Sequence, residues 1–175
     1  MEIKSDIALK GGDWRKALTA LEPFFPNQAS QPNYSIYVIS MSIGIMYDKQ
    51  LDMAGEESEE YKESRASVPR TVLHSHNNDL DFLFQTAILS SDLVSFTEKE
   101  RMQLAFDPKC TIEFNKLEFL TKFANFGVQK LLDKVSDEPI ETMQNIKSLL
   151  ASTVEGYNYE LYDISEDDLL LDDLE

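Results

Sequence analysis

The residues predict a mainly α protein, with a single compact helical domain over 1–154 and an acidic C-terminal tail over 155–175. Three observations carry that expectation. Apolar residues recur at helical spacing in three separate stretches, around 14–21, 80–88 and 114–132. Helix-start chemistry stands at Thr97 and again at Ser136. The charge, −16 over 175 residues, is gathered at one end: nine acids and no lysine or arginine lie in 155–175. A folded body of about 150 residues can bury its own core without disulfides or metal.

The elements follow in chain order. Trp14, Ala17, Leu18 and Leu21 share one helical face, and Pro23 and Pro26 end that segment. NQASQPN (27–33) has the composition of a loop. SIYVISMSIGIMY (35–47) is apolar on nearly all sides. Its β-branched residues and Gly44 would suit a buried strand, but its length favours a buried helix. Residues 48–68 are polar, with six acids against Lys62 between 52 and 63, and read as a long mobile loop.

Leu80, Leu83, Phe84, Ala87 and Ile88 predict a helix from about Asn78 to Ser91. In Thr97-Glu98-Lys99-Glu100 a hydroxyl and a carboxylate can satisfy each other's free backbone donors, so a short helix should run to about Phe106. Asp107-Pro108 stops it. Phe114, Leu117, Leu120, Ala124, Val128, Leu131 and Leu132 predict a longer helix from about Ile112 to Val135. Ser136-Asp137-Glu138-Pro139 combines a cap residue, acids for the helix dipole and a first-turn proline, opening a last helix to about Val154.

Composition excludes several function classes. The single cysteine, Cys110, excludes an intrachain disulfide and any multi-cysteine zinc or iron–sulfur site, which suits a reducing cytoplasm. No apolar core of signal-peptide length opens the chain, so no export and a cytoplasmic location are expected. The longest apolar stretch, around 36–47, is too short and too rich in serine to span a bilayer, so no membrane partner is expected. Without 155–175 there remain 23 acids and 16 bases, a net charge of −7, with the bases scattered. Direct binding to nucleic acid is therefore not expected.

Candidate chemistry centres on HSHNND (74–79), which holds both histidines. His74 and His76 could supply two ligands of a hydrolytic metal site. No third histidine exists, so Asp79, Asp81 or a distant carboxylate would have to complete it. Asn77, Asn78 and Asp79 are also favoured at turns and helix N-caps, and they stand directly before the apolar run from Leu80. The turn is the better reading. Cys110 as a nucleophile paired with His74 or His76 has no local signature behind it. No catalytic residue, cofactor or metal is assigned, and the chain is expected not to be an enzyme.

Two stretches are more specific. Ser40-Met41-Ser42-Ile43-Gly44-Ile45 sets small residues among large ones, and Phe123-Ala124-Asn125-Phe126-Gly127-Val128 places Ala, Asn and Gly inside a strong helical pattern. A helix-interior glycine costs about 1 kcal/mol relative to alanine, so something should compensate. Close helix–helix contact is one account; a binding groove is the other. Asn125 could bond a neighbouring backbone or bend its helix.

The order VISMSIGIMYDKQ, polar insert, further helices, LTKFANFGVQKLL resembles small accessory proteins encoded beside bacterial DNA-phosphorothioation (Dnd) modification and restriction genes. Phe123, Ala124, Asn125, Gly127 and Val128 match the Y-A-N-x-G-L part of that family's F-E-x-Y-A-N-x-G-L segment. Leu120 and Thr121 depart from its opening Phe-Glu. The resemblance covers about 34–135 and transfers no catalytic residue. It implies a non-catalytic component of an anti-phage restriction system, working beside a larger ATPase or nuclease subunit.

The tail, EGYNYELYDISEDDLLLDDLE, mixes acids with apolar residues, a composition that stays disordered alone and orders on a partner. Tyr159, Leu161, Tyr162, Ile164, Leu169, Leu170 and Leu171 would be its anchors. Asp167, Asp168 and the other acids would steer the encounter with a basic surface. An adaptor is the reading that results. A DNA mimic, its carboxylates imitating phosphates, is the alternative, and an HxH metal hydrolase comes third. A homo-oligomer stays open.

Overall fold

The computed structural model describes residues 1, 3–25, 32–56 and 66–152. Among them seven helices and one two-stranded antiparallel ribbon form the body. They are β1 (Ile7–Ala8), α1 (Gly12–Leu21), α2 (Pro32–Tyr47), β2 (Ser67–Val68), α3 (Arg70–Ser75), α4 (Asn77–Ser90), α5 (Glu98–Phe106), α6 (Lys116–Leu132) and α7 (Pro139–Ala151). A 3-10 turn, Glu22–Phe24, follows α1 at the predicted proline stop. The chain is mainly α, as its periodicity predicts.

The centre of the core is the pairing of α2 with α6. A Cβ built on Gly127 would stand 1.7 Å from the Ser40 carbonyl oxygen, and one on Gly44 would stand 2.1 Å from the Phe123 carbonyl oxygen. One helical turn forward on α2 corresponds to one turn back on α6, so the two helices run antiparallel. Backbone rests on backbone at both points. The contact this closeness permits compensates the low helix propensity of glycine. Of the two accounts open from sequence, close helix contact is the correct one at these glycines; the groove is overturned because the partner backbone already fills the space.

Around this seam Ile36, Tyr37, Met41, Ile43, Leu120, Phe123 and Val128 are almost fully buried. An aromatic chain extends the core toward α4 and α5. Phe123, Phe119, Phe114 and Phe96 follow one another at centroid separations of 5.0, 5.2 and 5.5 Å, all edge-on. Lys116 caps this cluster, its ammonium 4.5 Å from the Phe84 ring centroid and bonded to the Leu104 carbonyl at 2.8 Å.

Several boundaries move for identifiable reasons. The capping box at Thr97 forms with both reciprocal bonds, and α5 ends at Phe106. The long helix starts at Lys116 rather than Ile112, because the Asn115 side-chain Oδ1 accepts from the Glu118 N–H and caps it there. Upstream, Ile112 and Phe114 are half-buried between exposed Thr111, Glu113 and Asn115, the period-two pattern of extended chain. The loop expected over 27–33 ends sooner, since Pro32 and Asn33 belong to α2. Residues 26–31 lie outside the described residues.

The mobile loop expected over 48–68 needs correction at both ends. The Ala54 and Glu56 carbonyls accept from the Asp13 and Gly12 N–H groups, so this segment caps α1 in place of a side chain. Gly11 and Gly55 have positive φ, 101° and 75°; a Cβ added at Gly11 would strike the Ala54 carbonyl, and one at Gly55 the Asp13 carboxylate. Ala54 is wholly buried. At the other end Ser67 and Val68 pair with Ala8 and Ile7 in a ribbon too short to show alternation in the sequence. Residues 57–65 lie outside the described residues.

Candidate interaction surfaces

The family-like stretch is interior. Phe123, Ala124, Asn125 and Gly127 are buried on α6, and Gly44 is buried opposite on α2. Asn125 is the polar member, 2 % exposed, and its amide is fully used. Its oxygen accepts from Trp14 Nε1 at 2.8 Å, and its nitrogen donates to the Leu51 and Asp52 carbonyls, each at 3.0 Å. One side chain therefore ties α1, α6 and the 51–52 backbone together. This answers its presence in the helix without a ligand, since a buried amide left unpaired would be costly.

Beside that node lies a small open recess of about 180 Å³ lined by Ala8, Lys10, Asp52, Glu118, Thr121, Lys122 and Asn125. Its charges are largely mutually satisfied: Lys122 Nζ stands 2.8 Å from Asp52 and 3.8 Å from Glu118. The hydrogen bond to Lys122 holds the Asp52 carboxyl below the usual range and raises the Lys122 ammonium in return. Thr121 donates to the Leu117 carbonyl and contacts the Tyr37 hydroxyl at 2.9 Å. Burial raises the Tyr37 phenol well above its ordinary value.

HSHNND is divided between two helices. His74 belongs to α3, and its Nε2 accepts from Arg70 Nε at 3.1 Å. His76 is the junction that ends α3 and precedes α4. Its carbonyl accepts from Asp79 and Leu80 N–H, its Nδ1 lies 3.2 Å from Asp79, and its ring stacks on Tyr34 at 4.3 Å. The helix-entry reading is correct, but the cap position falls to His76 and the asparagines stand inside α4. The intervening helix α3 was not legible, being only six residues long. No group of three or more His, Cys, Asp or Glu side chains suited to a metal ion occurs among the described residues. Cys110 is half-buried against the core.

Arg101 is a positioning residue that sequence reasoning missed. Its guanidinium donates to the Ser91, Val94 and Phe96 carbonyls, at 2.5, 2.9 and 3.1 Å, and so clamps the α4–α5 connection. A three-way fork suits arginine and not lysine. The clamp presents α4 and α5 side by side, with Gln85 bonded across to the Ala105 carbonyl.

On these helices large apolar side chains face solvent. Phe82 and Leu89 on α4 are 67 % and 40 % exposed, and Met102 and Phe106 on α5 are 48 % and 55 % exposed. On α7, Ile140, Met143 and Leu150 are likewise exposed. The tail residues Tyr159, Leu161, Tyr162, Ile164, Asp167, Asp168, Leu169, Leu170 and Leu171 lie outside the described residues. No described helix is long and apolar enough to cross a membrane. No protein-family model, curated protein or solved structure matches the chain.

Proposed function

We propose that the chain is a non-catalytic adaptor of a bacterial anti-phage DNA restriction system that docks on a larger ATPase or nuclease subunit. The adaptor half rests on one observation: Phe82, Leu89, Met102 and Phe106 stand in water on two helices that pack together. Exposed apolar groupings of this kind mark interaction sites. The acid-rich 155–175 sequence adds anchors and a charge that favours a basic partner. The restriction-system half rests on the resemblance of the 34–135 region alone.

A DNA mimic needs acids displayed along a rigid face. Here 15 of the 32 acids are gathered in two segments, six in 52–63 and nine in 155–175, and this clustering makes the mimic the second reading.

The test is affinity capture from the native host lysate with three baits: the full chain, a chain ending at Val154, and Phe82→Ser/Phe106→Ser. A large ATPase or nuclease subunit recovered by the full chain, and reduced for the other two, is the expected result. Recovery of no partner by any bait overturns the adaptor. Displacement of the partner by duplex DNA would establish the mimic instead.

A further inference from the structure

The segment ahead of β1 is fixed by an ionic contact that no sequence pattern announces. The α-ammonium of Met1 stands 2.9 Å from Oδ2 of Asp81, in the second turn of α4. The Met1 side chain is 1 % exposed and packs against the core, which holds the amine beside that carboxylate. Ile3, Ile7 and Leu9 are buried after it. Further along, β1 pairs with β2, and Asp6 Oδ1 accepts from the Arg70 N–H at 2.8 Å.

Ion pairs near a surface are worth little partly because two long side chains must be held in one geometry. Here that cost is small on both sides. Burial of the methionine already places the amine. Asp81 is a short side chain, 34 % exposed, and its Oδ2 is steadied by a second donor, Asn77 Nδ2 at 3.2 Å.

The corner is short of donors. Oδ2 of Asp81 takes two, and the Asn77 amide oxygen is buried with no hydrogen-bond partner among the described residues. A free ammonium brings three N–H donors and a positive charge. An N-acyl amide brings one N–H, no charge, and a further carbonyl oxygen that needs a donor of its own. Acylation of this amine therefore deepens the donor shortage and takes the counter-ion from Asp81.

We propose that the Met1 α-amine is a modification-sensitive anchor. As the free ammonium it ties the segment leading into β1 to α4 through Asp81; N-formylation or N-acetylation loosens that segment. Hydrolysis of an N-formyl group, amide plus water giving ammonium plus formate, creates the anchor. This inference goes beyond the adaptor reading and does not depend on it.

The test compares the chain bearing a free amine with the same chain bearing an N-formyl group, made in bacterial cells whose deformylase is inhibited. Both forms are prepared in the parent and in Asp81→Asn. Urea unfolding is followed by the fluorescence of Trp14, the one tryptophan, which is fully buried. In the parent, formylation should raise the unfolding constant at least about fivefold. It should also speed deuterium exchange over residues 3–9 by about the same factor. In Asp81→Asn the formyl group should change either quantity less than about twofold, because the pairing it removes is already gone.

A formylated parent as stable and as protected from exchange as the free form would overturn the proposal. So would an equal loss in Asp81→Asn, which would assign the effect to the bulk of the acyl group and not to the lost charge. Exchange over residues 3–9 is read in the folded state, so it decides between these outcomes even where Asp81→Asn is too weak for a urea titration.

Discussion

Helices α2 and α7 are both rich in apolar residues, and the protein treats them in opposite ways. On α2 the side chains are enclosed on most sides, and where α6 crosses, even a methyl group has no room beside Gly44 or Gly127. On α7 the body accepts Leu149 and leaves Ile140 in solvent. Total hydrophobicity does not separate the two. The difference is whether a neighbouring backbone can come close, which depends on small residues placed one turn apart. Glycine at the crossing brings many atoms into contact range at once, and the dispersion gain grows with their number. A helix without such a site holds on by a few knobs and keeps a free face.

The comparison can be broken most severely at the seam. Gly127→Leu should abolish cooperative unfolding in urea, and Gly127→Ala should cost about 3 kcal/mol despite the better helix propensity of alanine. A Gly127→Ala protein as stable as the parent would show that α2 and α6 can separate freely, and the contrast with α7 would fail.

Asn125→Leu comes next, at about 2–3 kcal/mol by urea titration. It leaves the Trp14 N–H and the Leu51 and Asp52 carbonyls without their partner. Thr97→Ala should cost about 1 kcal/mol at neutral pH through loss of the cap. The Thr97 donors hold the Glu100 carboxyl below its ordinary 4.5. A lowered folded-state value means the stabilisation is complete above about pH 4.5 and is lost as pH falls through the lowered value. The deficit of Thr97→Ala should therefore shrink in acid.

Ser40→Ala sharpens the comparison in the other direction. The Ser40 hydroxyl is buried and finds no hydrogen-bond partner, so alanine should be neutral or stabilising by up to about 1 kcal/mol. The seam would then be shown to require smallness at Ser40 and not polarity. The smallest effect is expected on α7: Ile140→Ser should change stability by less than about 0.5 kcal/mol in thermal unfolding. A loss above about 2 kcal/mol would mean that this face is packed after all.

The sequence alone determined what depends on neighbours along the chain. Helical periodicity predicted α1, α4 and α6, and the length of its apolar run favoured a helix for α2; α5 and α7 were opened by the Thr97 box and the Ser136–Pro139 start, which with the proline stops are local hydrogen-bond and steric chemistry. It also marked Gly44, Asn125 and Gly127 as residues needing an explanation, because each is unfavourable in a helix interior. Only the tertiary structure decided what that explanation is. The partner of Gly127 is the Ser40 backbone, and the partners of Asn125 come from Trp14 and from Leu51 and Asp52, more than 70 residues away. The 48–56 segment looked like a solvated loop because its role is played by carbonyl oxygens, which every sequence has. Backbone groups carry no sequence signature, so a cap made by main chain, or a crossing that rests on it, becomes visible only when the chain has folded.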